Sequence, residues 1–345
     1  MFLNRVRILL LIVLMFFLVS CATSLHVNFT RPAQLDLNGA HTISVLPFKP
    51  CEYYRVNNES FTETFLVNSF YQIFDIEDPD EKELLDLLES TIKSGLLKSP
   101  YIKLVNSSEV QYAINNGTLN PADVYLTGEM VTFTVNDSKY DEKKIIKEAE
   151  GNRKAEYEIV TYWKRTVKYR FRYQVVDSTT NQVISFKEIK DESVADSCKI
   201  KMDLPSAYRM LESDMKALGK AILKQLQPYY VVKTIDLLEV KTKDKALKER
   251  MKAADKLASD YKLDEAYEAF TAIYNDSGIM EAGYNAAIIQ EAKGNLSLAE
   301  SLMLEVYKRY PVSKVSNGLS DIRYEISQAN RLNKQINNTI DNEDI

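Results

Sequence analysis

The chain has 345 residues, 27% of them charged, and a formal charge of −5. Apolar residues make up 45% of it, which is typical of a globular chain and not of a disordered one. Because it has no basic excess to neutralise phosphates, the composition also argues against a nucleic-acid partner.

The first residues have the pattern of an export signal. Arg5 and Arg7 precede an apolar run, residues 8–19, that contains no charge, glycine or proline. A membrane-spanning helix needs about 20 apolar residues, so this shorter run fits the core of a signal peptide. Ser20 and Cys21 follow the run directly.

The sequence Leu18-Val19-Ser20-Cys21 resembles a bacterial lipobox. In that family the cysteine sulfur receives a diacylglycerol, the chain is cut before the cysteine, and the new amine is acylated. The resemblance implies that residues 1–20 are a cleaved signal peptide and that Cys21 is the lipid attachment site. Two or more acyl chains make anchoring in a membrane stable. The alternative is an ordinary secretory signal with an incidental cysteine.

The same resemblance sets the expected location. Ala22, rather than Asp, follows the cysteine, which is compatible with sorting to the outer membrane. We therefore expect an outer-membrane lipoprotein that faces the periplasm, with residues 21–41 as a tether. Loss of residues 1–20 removes two arginines and no acids, so the charge of the mature chain becomes −7.

Strand and helix patterns then alternate from residue 42 to residue 230. Apolar residues at helical spacing, including Leu84, Leu88 and Ile92, predict a helix that begins near Pro79. Alternation at residues 131–135 and 166–175 predicts strands with one buried face. The remaining predictions are strands at 41–48, 102–105 and 182–189, helices at 107–117 and 205–226, and a charged loop or hairpin tip at 136–158. The aromatic-rich stretch 61–76 is either a helix or a strand, and we assign it as a helix. This order predicts a small mixed sheet with helices, an α/β or α+β fold.

Three stretches of this domain, ISVLPF, ADVYLTGEM and YQVVDSTTNQVI, resemble the CsgG-like (curli secretion lipoprotein) and LpoB-like family of envelope domains. The similarity covers roughly residues 42–228. Asn181 stands where the family usually has a glycine, and the charged stretch 136–158 is an addition.

After a linker at 231–244, the pattern becomes helical throughout residues 245–332. Small and apolar residues repeat 33 positions apart, as in Ala254 and Ala287 or Ala266 and Ala299. Together with Gly294 and Pro311 this spacing resembles tetratricopeptide repeats, which predicts an all-α repeat domain; the alternative is a plain helical bundle. In that register Tyr284, Ile288 and Glu291 face a peptide-binding groove. The polar tail 333–345 is predicted to be disordered.

The sequence contains few residues that suggest chemistry. It has no glycine-rich phosphate loop, HExxH motif or paired-cysteine metal signature, so we expect neither an enzyme nor a metal or cofactor beyond the acyl chains on Cys21. Cys51 and Cys198 would be able to pair as a disulfide in an oxidising compartment, or remain two separate thiols.

Two functions from different classes follow. The first is a lipid-anchored binding scaffold or assembly factor for an unidentified envelope protein or peptide, with a homo-oligomer left open. The second, implied by the curli-secretion relatives, is an oligomeric outer-membrane secretion pore. Its membrane strands would then be sought at 131–135 and 167–175. A surface adhesin is a third alternative.

Overall fold

The computed structural model describes residues 23–51, 79–148, 155–198 and 200–340. The chain divides into two units. One, here the α/β unit, spans Ala33–Pro228 and takes in the chain again from Gln335; the other, here the helical unit, holds the residues before Ala33 and Tyr229–Lys334. The predicted Cys21 attachment site and the predicted helix at 61–76 lie outside the described residues.

The α/β unit is built on a five-stranded mixed sheet with the order β3-β2-β4-β5-β6. Strand β2 pairs in parallel with β3 and β4, whereas β4, β5 and β6 pair antiparallel. The strands are β2 (Thr42–Val45), β3 (Lys103–Leu104), β4 (Val124–Lys147), β5 (Glu156–Asp177) and β6 (Val183–Cys198). The predicted mixed α+β architecture is therefore present.

Two helices, α1 (Pro79–Leu96) and α3 (Ala207–Leu226), cover one face of the sheet. Their apolar residues recur at helical spacing and meet the inward residues of β4 and β5, such as Phe171 and Val175, in one buried core. The helices approach closely at Gly95, where an added Cβ would lie 2.2 Å from Leu223. The shorter helix α2 (Ser107–Asn116) contributes Val110 to a separate small cluster.

Strands β4 and β5 continue far beyond the covered part of the sheet. Residues 136–147 and 156–166 remain paired as an antiparallel ladder, and we call them the hairpin arm. Of the two alternatives predicted for 136–158, a loop or a hairpin tip, the hairpin is present, and most of this stretch belongs to its paired strands. These strands were missed because charged residues stand on both of their faces, as the pairs Asp141–Thr161 and Lys144–Glu158 illustrate, so period-two alternation is absent.

The helical unit contains two consecutive helical hairpins. The helices are α4 (Lys245–Ser259), α5 (Leu263–Ser277), α6 (Met280–Ala292) and α7 (Leu296–Arg309), followed by the long α8 (Ser313–Ile340). Residues 33 positions apart, such as Ala266 and Ala299, are both fully buried. Both inter-helix turns use a left-handed residue at the same position of the repeat, Tyr261 with φ 56° and Gly294 with φ 80°.

The helical unit also contains a two-stranded ribbon, which the sequence did not predict. Strand β1 (Ser24–Arg31) pairs antiparallel with β7 (Tyr229–Asp236), from Ser24 opposite Asp236 to Arg31 opposite Tyr229. Leu25 and Ile235 lie in the core formed by the helices. The predicted tether at 21–41 and the predicted linker at 231–244 are therefore corrected, because their apolar residues are needed in that core.

The predicted disordered tail, 333–345, is corrected for residues 333–340, and residues 341–345 lie outside the described residues. Helix α8 begins at Ser313 and continues to Ile340. One of its last turns is held by Gln335, whose side-chain amide accepts from the N–H of Ala33 at 2.9 Å and donates to the carbonyl of Ala33 at 3.1 Å. These two hydrogen bonds stabilise the last part of the helix although its residues are polar.

Candidate functional site

The predicted peptide groove on α6 is not an open surface. Tyr284, Ile288 and Glu291, which were predicted to face it, are 5%, 3% and 1% exposed. Every residue of α6 from Ala282 to Ala292 is buried. The prediction that these three side chains are accessible to a partner is wrong, because another part of the helical unit covers them.

Two segments of the same chain contact α6: α8, whose Lys314 ammonium lies 5.5 Å from the centroid of the Tyr284 ring, and the segment directly after β7. The fully buried side chain of Asn285 accepts a hydrogen bond from the N–H of Leu238 at 2.7 Å and donates one to the carbonyl of Leu238 at 3.0 Å. An amide side chain that bonds both the N–H and the carbonyl of one residue holds an extended segment in place, whatever side chain that residue carries. The groove therefore holds residues of its own chain where a foreign peptide was expected.

Strand β7 adds an ionic contact to the same helix. The Lys233 ammonium donates to Glu291 at 2.6 Å and to Glu325 of α8 at 3.0 Å. Glu325 also accepts from both terminal nitrogens of the Arg31 guanidinium, on β1. We call these four residues the charge cluster. Two cations balance two carboxylates, which lets both carboxylates be buried.

Burial and charge act differently on the two carboxylates of the charge cluster. Burial raises the pKa of Glu291, and only Lys233 opposes that effect by hydrogen bonding. Burial acts on Glu325 in the same sense, but hydrogen bonds from Arg31 and Lys233 outweigh it and lower its pKa. The cluster thus ties β1 and β7 to α6 and α8. We assign it a structural role, because its groups are all satisfied by one another.

Asn285 and Lys233 were missed by the sequence reasoning, and only a weak signal for them existed. The alternation of Leu25, Val27 and Phe29 with polar residues is the pattern of a strand with one buried face, and it was not used to predict β1. Lys233, in contrast, stands in a segment of β-branched and aromatic residues that was assigned to a linker.

The hairpin arm carries a group of exposed apolar side chains. Near its end, Ile145, Ile146, Tyr157 and Ile159 are 57% to 63% exposed. The arm is stiffened closer to the sheet, where Tyr140 stacks on Tyr162 with ring centroids 5.4 Å apart. Several apolar side chains exposed together mark a surface that binds something else.

The base of the hairpin arm is fixed by a bidentate ion pair. The Arg165 guanidinium donates from Nε to Asp137 at 2.7 Å and from Nη2 at 2.8 Å. This hydrogen bonding lowers the pKa of Asp137, against the opposing effect of burial. Trp163 lies two pairs further out, with the Lys139 ammonium 4.6 Å from its ring centroid. The arm is thus held by side chains as well as by its ladder.

The strands considered for a secretion pore lie elsewhere, in the core of the α/β unit. Phe133 is 6% exposed, and Val167 and Phe171 are fully buried in the cluster that α1 and α3 share. A lipid-facing strand needs a continuous apolar side turned outward. These strands turn their apolar side toward helices, so the predicted lipid contact at 131–135 and 167–175 is corrected.

The α/β unit also contains an apolar cavity of about 310 Å³. Its walls come from the segment after β1, the loop before β3 and the end of α3, and include Leu35, Leu37, Ile102 and Leu226. Gln335 lies at its edge and is engaged with Ala33. The volume is at the lower limit for a small-molecule pocket.

The two cysteines of the predicted disulfide occupy different places along the sheet. The Cys51 thiol donates to the carbonyl of Val131 at 3.3 Å. The backbone of Cys198 pairs with Tyr162, which in turn pairs with Tyr140. Val131 and Tyr140 are nine positions apart on β4, a distance of roughly 30 Å along a strand. A disulfide requires Cα atoms within about 7 Å, so this register argues against the pairing.

No group of three or more His, Cys, Asp or Glu side chains among the described residues has the geometry to hold a metal ion. Within the same residues, no helix has both the length and the apolar character to cross a membrane.

No family model and no curated protein matches this chain. Among solved structures, it is similar to the PelC dodecamer from Paraburkholderia phytofirmans, with 10% identity, 58% of this chain and 97% of that chain covered, and a TM-score of 0.25. It is also similar to a minor lipoprotein from Acinetobacter baumannii, with 10% identity, 54% and 91% coverage, and a TM-score of 0.21. A third similarity is to lipoprotein GNA1162 from Neisseria meningitidis, with 9% identity, 54% and 96% coverage, and a TM-score of 0.18. At these TM-scores the similarities assign neither a family nor a function.

Proposed function

We propose that this chain is a lipid-anchored bacterial envelope protein that acts as a binding scaffold or assembly factor and catalyses no reaction. The lipobox-like sequence ending at Cys21 supports the anchor. The mixed sheet with helices and the 33-residue spacing of the helical hairpins support a CsgG-like or LpoB-like domain followed by tetratricopeptide-like repeats. The proposed location is the outer membrane, on its periplasmic side.

The exposed end of the hairpin arm is the observation that carries the binding role. The residues predicted to line a groove on α6 are buried by other parts of the helical unit, so a partner would need another surface. Ile145, Tyr157 and Ile159 offer apolar side chains on a paired, rigid support. Aromatic and aliphatic side chains in a charged surround are typical anchor residues of protein–protein interfaces. We therefore assign the binding of an envelope protein to the arm.

Photo-crosslinking in cells tests this assignment. A photoreactive phenylalanine analogue replaces Tyr157 on the arm or, as a matched control, Tyr112 on α2; the two tyrosines are 57% and 65% exposed. We expect a discrete crosslinked product from position 157 only. An Ile145→Asp/Ile159→Asp background should abolish that product with little change in the melting temperature, since exposed substitutions rarely alter stability by more than about 0.5 kcal/mol.

Two results would contradict the binding role of the arm. One is equal crosslinking from positions 157 and 112, and the other is a product from position 157 that persists in the double-aspartate background.

The anchor is tested separately through Cys21. Cells that are fed a clickable fatty acid should label the wild-type protein and not a Cys21→Ala variant, and the variant should leave the membrane fraction under high salt. A variant that stays in the membrane fraction under those conditions, or that is still labelled, would overturn the anchor at Cys21.

A further inference from the structure

Helix α4 presents a stripe of lysines on one of its faces. Lys245, Lys248, Lys252 and Lys256 follow one another at spacings of three and four residues, which places them on the same side of a helix. Lys241 and Lys243 precede the helix, and all six side chains are exposed. We call these six residues the lysine stripe. The buried residues of α4, Met251, Ala254 and Ala258, lie on a different face.

The positive charge of the lysine stripe is largely unneutralised. Of its six members only Lys252 has an ion pair among the described residues, with the exposed Glu249 at 3.2 Å. Residues 241–256 contain seven basic residues and three acids, in a chain whose net charge is −5. Two of the acids are already engaged or turned inward. The Asp244 carboxylate caps α4 by accepting from Ala246 and Leu247, and Asp255 is partly buried.

The segments on either side of α4 contact β1, the strand that follows Cys21 in the sequence. The carbonyl of Thr23 accepts from the N–H of Leu237 at 2.9 Å, and Lys241 is four residues further on. After α4, the Tyr261 hydroxyl donates to the carbonyl of His26 at 3.1 Å and accepts from its N–H at 3.2 Å. In the sequence, Cys21 is two residues before Thr23.

We propose that the lysine stripe binds the anionic phospholipid headgroups of the membrane that holds the acyl chains. This inference rests on the proposed lipid anchor at Cys21. Each lysine near an anionic bilayer surface makes the free energy of membrane binding more favourable, and the contributions of several lysines add. The anchor concentrates the stripe at the bilayer, and the stripe in turn orients the helical unit with α4 against the headgroups. Negatively charged phosphate groups complement the exposed ammonium groups of the stripe, whereas an apolar partner would leave their charge unbalanced.

Vesicle binding by the full-length mature chain with Cys21→Ala tests the proposal without the acyl chains. We expect it to co-sediment with phosphatidylcholine vesicles that contain phosphatidylglycerol, to be released by added salt, and to ignore vesicles of phosphatidylcholine alone. The variant K245E/K248E/K252E/K256E should bind at least roughly tenfold more weakly. K98E/K103E/K187E/K220E, which changes four exposed lysines of the α/β unit by the same charge, should bind like its parent.

A second variant distinguishes loss of lysine charge from unfolding of α4 in the first variant. K241Q/K243Q changes residues before α4 and cannot unfold the helix, and it should also weaken binding. Equal sedimentation with both kinds of vesicle, no sedimentation with either, or an equal loss in the control variant would each overturn the proposal. If fatty-acid labelling at Cys21 succeeds while the unacylated chain ignores phosphatidylglycerol, the stripe proposal fails and the anchor remains. If labelling fails, the anchor itself is wrong.

Discussion

Asn285 shows how a single side chain can decide whether a groove is open. It satisfies both backbone groups of Leu238 at 2.7 and 3.0 Å from a fully buried position. We expect Asn285→Ala to lower the free energy of unfolding by about 3 kcal/mol, because two backbone groups lose their partners. Urea denaturation measures this, together with faster hydrogen exchange at Leu238.

The matched control for Asn285 is Asn317→Ala, the same change at an exposed position of α8. It should leave both measurements nearly unchanged. An Asn285→Ala protein as stable as this control would show that the segment after β7 is not held by α6.

Asp255 gives the helical unit a dependence on pH. Its Oδ1 atom is buried and makes no hydrogen bond, and burial, helped by Glu239, raises the pKa of this carboxyl to about 6. The folded state therefore holds a proton more tightly than the unfolded state, whose pKa is near 3.8. Stability contributed by the protonated group is complete below pH 4 and declines as the pH rises through 6.

We accordingly expect Asp255→Asn to stabilise the protein at pH 7 by about 1 kcal/mol and to have almost no effect at pH 4. Chemical denaturation at the two pH values measures the difference. The exposed Asp86→Asn on α1 serves as the comparison, and an Asp255→Asn effect that is equal at both pH values would contradict the assignment.

At the scale of elements, strand β1 forms only by pairing with β7, a strand about 200 residues later in the chain. Its buried Leu25 lies in the core of the helical unit. Leu25→Ala should cost about 3 kcal/mol, as expected for a leucine lost from a core. Asn28→Ala, on the exposed side of the same strand, should cost little. If both variants have the melting temperature of the wild type, residues 24–31 behave as the tether that the sequence predicted.

The sequence predicts elements well where burial imposes a period. Leu84, Leu88 and Ile92 recur at helical spacing on α1, and Val167, Tyr169 and Phe171 alternate on β5; both sets are buried. The hairpin arm carries charges on both faces, so neither period appears there. Strand β1 shows alternation, but its partner begins about 200 residues later, and nothing local indicates a pairing at that separation.

The candidate site was predicted less well than the fold. The helices that carry Tyr284, Ile288 and Glu291 were predicted correctly, and periodicity reveals which residues share a face. It does not reveal what covers that face. Lys233 contacts Glu291 and Leu238 contacts Asn285, and both belong to a segment whose composition resembles a linker.

For the whole molecule, the folded arrangement argues against the pore. Dye-loaded vesicles that carry the acylated wild-type protein should keep their dye, because lipid contact at 167–175 would require loss of the core shared with α1 and α3. The Cys21→Ala protein should likewise form no detergent-stable rings on size-exclusion chromatography. Leakage comparable to that of a known pore-forming peptide would favour the secretion pore.

The pairing of β1 with β7 determines the order in which the two units complete their folding during synthesis. A chain synthesised from its N-terminus completes β1 first, yet β1 cannot pair until residues 229–236 exist. Residues 33–228 can already collapse into the α/β unit in that interval, since they contain that unit's whole sheet. The strand next to Cys21 thus waits longest for its partner, and the helical unit is the last part of the molecule to close.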